Sequence, residues 1–369
     1  MLLRVGGFFV LVLALLLACS SNTSQPAGGA RADVASPPPA PIATSVPATP
    51  KTLAFPDDDG AHLALTEWWY YSGHLQSTAG EQYGFMVVVF KRQAQPDRAG
   101  FVAHIAITDA QRKVFQFKEA ITVAADSLAP GPTFRLQVGS AMVSGGGGID
   151  RLEGSTDSYA LQLNLQTVKP PVAQGEKGYI SVSPNELSYY YSRTRMQAQG
   201  TLSRLGVQTA VTGIAWMDHQ WGDFSLEGDS GWDWFGLQLD DGSDLMVSVI
   251  RGGDGKSVLT YGTLVDTAGN KTHLDSSRIQ VQATGSWTSP ATGGRYPMGW
   301  HLTTPGAGLD LTVQPVLNEQ EMVTWASVGR AYWEGQVSIT GKNNDKAVKG
   351  QGYVELTGYA SPATSGVRP

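Results

Sequence analysis

The chain has 369 residues, with 26 Lys and Arg against 32 Asp and Glu, a formal net charge of −6 and a single cysteine. Mild acidity argues against nucleic acid as a partner and against a basic membrane-binding face; one cysteine leaves no disulfide framework and no thiolate metal site. Stability must come from buried apolar surface, and the length suffices for two domains.

Residues 1–18 carry one cation, Arg4, ahead of an apolar run from Val5 to Leu17. That run is short for a membrane span of roughly 20 residues but right for a signal peptide. It ends in Leu16-Leu17-Ala18-Cys19, which resembles a bacterial lipobox. Acylation of Cys19 would supply the several chains that stable anchoring needs. Ser20, where an Asp would signal inner-membrane retention, points to the outer membrane, facing the periplasm. Residues 19–52 form a Ser/Ala/Thr/Pro-rich tether that includes Pro37-Pro38-Pro39-Ala40-Pro41. Too few large apolar residues occur there to bury a core, and the prolines favour an extended chain of about 3.1 Å per residue.

From Leu53 the chain reads as β. Tyr83–Phe90, Ala160–Leu165, Asp244–Ile250 and Leu309–Val313 are short runs rich in branched or aromatic residues, bounded by turn formers. Glycine, at 44 residues, exceeds the usual share, as many tight turns require; Asp241-Gly242, Asp254-Gly255 and Gly269-Asn270 are turn signals. No sustained 3.6-residue apolar period is present, so helices should be few. Such closely spaced strands imply closed barrels or sandwiches. The expectation is an all-β protein of two domains, 53–226 and 227–361, joined near 226–230, with a flexible tail at 362–369. The second domain should close around Trp300, Trp325 and Trp333.

Four of the ten tryptophans fall within nineteen residues, from Trp216 to Trp234, interleaved with Asp218, His219 and Asp233. Aromatic walls holding a few ionisable groups suit a pocket for a large apolar ligand or an acid–base site; a β core with satisfied indoles is the simpler alternative. Strand alternation sorts the residues by face. Trp216, Asp218 and Gln220 oppose Met217, His219 and Trp221; Trp232, Trp234 and Gly236 oppose Asp233 and Phe235; Trp68, Tyr70, Ser72 and His74 oppose Glu67, Trp69 and Tyr71. Asp218, His219 and Asp233 are the candidate catalytic residues. Trp68, Tyr70, His74, His104, Tyr190, Trp216, Trp221, Trp232 and Trp234 are the candidate ligand-binding residues. A turn between the two segments could bring Asp218, His219, Trp221 and Asp233 to one cavity wall. A metal site of His74, His104 and His219 is weighed and set aside for lack of pair spacing, and no cofactor is expected. Gly228-Asp229-Ser230-Gly231 lacks the context of a serine-protease triad, and Asp57-Asp58-Asp59-Gly60 lacks calcium-loop spacing.

Glu67-Trp-Trp-Tyr-Tyr-Ser-Gly-His-Leu75, Ala103–Asp109, Tyr189-Tyr-Tyr-Ser192, Ala215-Trp-Met-Asp-His-Gln-Trp221, Gly231-Trp-Asp-Trp-Phe235 and Tyr332-Trp-Glu-Gly335 resemble, in order, the lipocalin-like family of carotenoid 1,2-hydratases and AttH-type secreted proteins. The resemblance implies two tandem lipocalin-like β-barrels, each with room for an apolar cavity. Its functions are mixed: some members hydrate an isoprenoid double bond, and AttH-type proteins accompany ABC transporters. Hydration of an isolated alkene needs a strong acid to protonate carbon, and a shielded cation until water adds. Asp218 or Asp233 could serve as acid and His219 as its partner or a water-orienting base, with Trp221, Trp232 and Trp234 as walls. Three readings follow. The leading one is a membrane-anchored carrier or sensor of a lipid or isoprenoid, serving an ABC export system. The second is a cofactor-independent hydratase, and the third is a surface interaction module.

Overall fold

The computed structural model describes residues 50–361 apart from 96, 127, 184–185 and 225–230. The expected signal peptide, Cys19, most of the tether, the junction near 226–230 and the tail at 362–369 therefore lie outside the described residues. Twelve strands build a first sheet: β1 (Thr66–Ser77), β2 (Gln82–Gln95), β3 (Arg98–Asp109), β4 (Val114–Asp126), β5 (Phe134–Val138), β6 (Ala141–Gly146), β7 (Ile149–Ser155), β8 (Tyr159–Thr167), β9 (Val172–Ala173), β10 (Tyr179–Ser183), β11 (Glu186–Arg204) and β12 (Val207–Gly222). Ten build a second: β13 (Gly231–Leu239), β14 (Asp244–Arg251), β15 (Ser257–Val265), β16 (Lys271–Leu274), β17 (Gln280–Thr288), β18 (Arg295–Thr304), β19 (Leu309–Pro315), β20 (Glu321–Thr324), β21 (Arg330–Asn343) and β22 (Lys346–Thr357). Among the described residues the only helical elements are two three-residue 3₁₀ turns.

Both sheets are antiparallel and follow one plan. Hydrogen-bonded neighbours run β4-β3-β2-β1-β12-β11-β8-β7-β6-β5 in the first and β16-β15-β14-β13-β22-β21-β19-β18-β17 in the second. In each, four meandering strands meet the last strand of the half through their first member. Beyond the last strand, the long penultimate strand divides its other edge among several partners, β8, β9 and β10 in one half and β19 and β20 in the other. This repeat is carried by topology, with no visible sequence period.

Among the described residues the hydrogen-bonded orders run from β4 to β5 in the first sheet and from β16 to β17 in the second, with no hydrogen-bonded pair between those end strands. Each sheet instead folds across its own core. The Trp69 ring lies 5.5 Å from Phe134, and Tyr71 donates to Asp150 at 3.0 Å, joining β1 to β5 and β7. In the second sheet Phe235 stands 5.5 Å from Trp300, which stands 6.3 Å from Trp333. Trp300 and Trp333 are fully buried there; Trp325 is half-buried in the turn after β20 and is not part of that core.

Burial shows which strands have company on both faces. β8 alternates, with Tyr159, Leu161, Leu163 and Leu165 inside and Gln162 and Asn164 exposed. β2 is buried without interruption from Tyr83 to Val89. A strand with one buried face alternates, whereas continuous burial requires a second layer. That layer is the other sheet. Tyr70, Met86, Val88, Trp216, Trp234, Met246 and Tyr353 belong to a third apolar cluster, between the two sheets and separate from both inner cores. Polar bonds cross the same seam. Gln238 donates to the carbonyls of Thr194 and Ala215, and buried Asp244 receives Lys169 at 2.6 Å and Arg195 at 2.7 Å.

Candidate active site between the sheets

A cavity of about 190 Å³ opens within this seam, not inside either sheet's own core. β1 contributes Trp68 and Tyr70, β11 Tyr190, β12 Asp218, β13 Trp232 and Trp234; Tyr332 and Glu334 come from β21 and Glu355 from β22. These residues share a level because the two halves repeat their register. Asp218 pairs with Tyr70 on one side and Ser192 on the other; at the equivalent level Glu355 pairs with Trp234 and Glu334. The equivalence places an acid on the last strand of each half, facing its counterpart's sheet. Gly236 is needed beside Trp234: a Cβ there would lie 2.3 Å from the indole, so only glycine lets that ring lie along the strand.

Asp218 accepts hydrogen bonds from Tyr190 at 2.6 Å, Trp216 at 2.7 Å and Ser192. Trp234 of the second sheet donates to the Tyr190 hydroxyl at 3.0 Å, so Asp218 is oriented from both halves. Burial pushes its carboxyl up to about 6, although the three donors pull the other way. Glu355 accepts from Trp232 at 2.9 Å and is pushed up to about 7 by burial and by the charge of Asp218; the Trp232 hydrogen bond and Arg330 oppose this. Glu334 accepts from Tyr70 at 2.7 Å, and burial with the adjacent Glu355 raises it well above the usual carboxylate range. Its second oxygen, Oε2, is buried and has no hydrogen-bond partner. Burial raises the phenols of Tyr70, Tyr190 and Tyr332 well above their ordinary value, so they act as donors.

The sequence-expected residues divide among three environments. Trp68, Tyr70, Tyr190, Asp218, Trp232 and Trp234 line the cavity, and Trp216 supports Asp218 from behind. His219 and Trp221 point the opposite way, into the core of the first sheet. There His219 donates through Nε2 to Glu67 at 2.9 Å and stacks 4.6 Å from Trp69. Its Nδ1 is buried without a partner, which suits a neutral imidazole presenting a bare lone pair, and burial lowers its affinity for a proton. Asp233 faces the second sheet's side, where it accepts from Arg251 and Tyr359, each at 3.0 Å; burial raises its pKa against the pull of Arg251. The expected single wall of Asp218, His219, Trp221 and Asp233 thus does not form. Neighbouring strand residues face apart, and the strands pack on both faces, so alternation prevails over proximity in sequence.

His74 and His104 also lie outside the cavity lining. Both are latches between the sheets. His74 contacts the Gly352 carbonyl at 3.1 Å and the Gln336 amide at 2.8 Å; His104 contacts Tyr332 at 2.6 Å and Ser327 at 2.9 Å. Burial drops both to about 3, so they are neutral. Ser327 passes the chain on to half-buried Glu119, linking the cavity's Tyr332 to the protein surface.

His62, Glu67 and His219 bring possible metal-ligand atoms within 4.8 Å of one another. The donors are already engaged, however. Glu67 takes His62 and His219 on one oxygen and Lys91 on the other at 2.9 Å, and His62 also meets Asp58. Burial alone would raise Glu67, but the histidine hydrogen bonds and Lys91 hold it at about 2. A buried ammonium supplies the positive charge that a metal ion would otherwise bring, so the group fits a structural ion network.

Glu334 and Glu355 were missed as site residues in the sequence. Glu334 stands in the motif Tyr332-Trp-Glu-Gly335, and Glu355 is a lone acid in the apolar run Tyr353-Val-Glu-Leu356. An isolated acid within a strand otherwise built for burial is the signal that could have found both.

An all-β protein of two like sheets, with an aromatic, acid-bearing cavity at their junction, is the class that fold and site define. The chain belongs to the AttH-like family, which it matches over residues 46–359. It is similar to the crystal structure of an AttH protein from Nitrosomonas europaea, with 32% identity, a TM-score of 0.77, and coverage of 85% of this chain and 99% of that one. The fold also matches kievitone hydratase from Nectria haematococca (18% identity, TM-score 0.68, covering 85% and 94%). CghA matches more distantly (12% identity, TM-score 0.56, covering 80% and 89%). No curated protein matches the sequence. The lipocalin-like architecture is that of these relatives, with two large antiparallel sheets.

Proposed function

We propose that this protein is an acid–base enzyme of the hydratase type, adding water to a carbon–carbon double bond of an apolar substrate held between the sheets. The observation that carries it is Glu334: a carboxyl kept protonated by burial, with one oxygen held by Tyr70 and the other without a protein partner. Of the neighbouring acids, Glu355 is raised to about 7 and Asp218 to about 6. Environments that drive carboxyl pKa values apart separate an acid from a base. Glu334 would give its proton to the alkene carbon, leaving a tertiary cation facing the rings of Trp232, Trp234 and Tyr70. Water bonds to that cation and releases a proton to ionised Asp218. The site then holds as many protons as it began with, and return of the proton from Asp218 to Glu334 resets it; the chain Glu119–Ser327–His104–Tyr332 links the cavity wall to the surface for exchange of that proton with solvent.

The cavity slightly exceeds the roughly 150 Å³ that encloses a benzene, so it takes one ring or one branched end of a substrate. The rest of a large molecule would emerge past the half-buried Trp68, Phe90, Gln220 and Trp232. The lipobox extends the proposal: anchored through Cys19, the enzyme would act at the periplasmic face of the outer membrane, where a service to an ABC exporter would also be possible to assay. Incubation with isoprenoids bearing terminal double bonds in oxygen-18 water tests the reading. Products carrying the label are expected from the wild type and not from Glu334→Gln. A protein that retains such compounds tightly without ever labelling them is a carrier, and the hydratase reading falls.

A further inference from the structure

The cavity gathers acids without a cation in its lining. Among the described residues its lining contains four acidic ones, Glu186, Asp218, Glu334 and Glu355, and nine aromatic ones, but no Lys, Arg or His. Three other buried acids each meet a cation: Glu67 with Lys91, Asp244 with Lys169 and Arg195, Asp59 with Arg193. Arg330 lies outside the lining, 5.9 Å over the Trp232 ring. An ionised carboxylate taken from water without a partner is costly, and such groups are normally paired or neutralised by protonation. Here two buried acids, Asp218 and Glu334, and the half-buried Glu355 surround an open volume, and Glu334 Oε2 has no hydrogen-bond partner.

We propose that the cavity is a cation site whose ligand is a lipophilic ammonium ion, a tertiary or quaternary amine on a short hydrocarbon or aryl body. The charged head would sit among Glu334, Glu355 and Asp218, and the faces of Trp232, Trp234 and Tyr70 would form the aromatic cage that such heads prefer. The apolar body would lie against Val88, Phe90 and Ile250 toward the half-buried rim. A head of this kind would drive the proton from a neighbouring carboxyl and serve as the counter-charge of the carboxylate so formed; it occupies the place assigned above to the transient cation, so these amines would compete with an alkene substrate. The inference rests on the cavity being the ligand site and not on hydration occurring there.

A matched pair of probes tests it. Benzyltrimethylammonium and its uncharged isostere neopentylbenzene differ in one charge at nearly constant shape, and quenching of the cavity tryptophans reports binding. The ammonium is expected to bind at least about tenfold tighter. Glu334→Gln and Glu355→Gln should each weaken the ammonium about tenfold while leaving the neutral probe within about twofold. Retained neutral binding shows that the variants are folded, and Asp218→Asn provides a third independent variant. Equal or tighter binding of the neutral probe overturns the inference but leaves the cavity as a ligand site. Unchanged ammonium affinity in all three variants overturns it as well. If neither probe binds, the inference and the ligand-site reading fall together.

Discussion

Replacing Glu355 by glutamine separates a stored acid from an ordinary buried carboxylate. The amide keeps the shape and can still accept from Trp232, but it cannot ionise. In the folded protein Glu355 is raised from 4.5 to about 7, roughly 2.5 pH units at 1.36 kcal/mol each, or about 3 kcal/mol. Between pH 4.5 and 7 the native state keeps a proton that the unfolded chain has released. The stabilisation is therefore full below about 4.5 and is lost as pH rises through 7. His74 and His104 act in the opposite sense. Depressed from 6.5 to about 3, they cost stability as pH falls below 6.5, so the wild-type profile alone mixes the two effects. The difference between Glu355→Gln and wild type removes the histidine contribution and reports the Glu355 carboxyl together with its repulsion of Glu334 and Asp218. Urea unfolding followed by tryptophan fluorescence from pH 4.5 to 8.5 should show the variant gaining about 3 kcal/mol relative to wild type across that range. A flat difference, or a variant that loses ground as pH rises, would refute a protonated Glu355 and the reasoning behind the site's acidity.

Four further outcomes follow from the geometry. Asp244→Ala should cost about 3–5 kcal/mol in urea unfolding, because it strands buried Lys169 and Arg195 without their counter-charge; a loss below 1 kcal/mol would mean that water replaces the carboxylate. His219→Ala should lower stability through the first sheet's core, by about 2–4 kcal/mol, while ligand affinity per folded molecule stays unchanged; selective loss of binding would return His219 to the site. Asp233→Asn should leave ligand binding intact, since its partners are Arg251 and Tyr359, and a binding defect in a folded protein would contradict that placement. Cys19→Ser should abolish palmitate labelling and release the protein from membranes; a variant still labelled would end the lipoprotein proposal.

Much of the strand content and the aromatic motif could be read from residue types, because alternating and continuous apolar runs mark strands with one or two covered faces. Asp218 stood out for the same reason, as an acid between Trp216 and Gln220 on one face. What the pattern could not give was the neighbour of each face. β12 is aromatic or apolar on both sides, so nothing local says that Asp218 meets the second sheet while His219 meets the first sheet's interior. Glu334 and Glu355 were hidden differently. They meet Asp218 only through packing of one sheet on the other, between segments more than a hundred residues apart, and through a repeat of topology that the amino acids do not echo. The pairing of the end strands was illegible too, since whether two edge strands pair depends on sheet curvature and not on the strands' composition.

The central claim is that the cavity between the sheets moves a proton between carboxyl groups and carbon. Its most direct measurement is deuterium transfer: an isoprenoid with a terminal double bond is incubated with the protein in heavy water and recovered for mass spectrometry. Carbon-bound deuterium should appear with the wild type, at a rate that falls at least about a hundredfold in Glu334→Gln, as loss of a positioned general acid entails. A substrate that binds in the cavity and leaves with no deuterium on carbon, in wild type and variant alike, would contradict the claim.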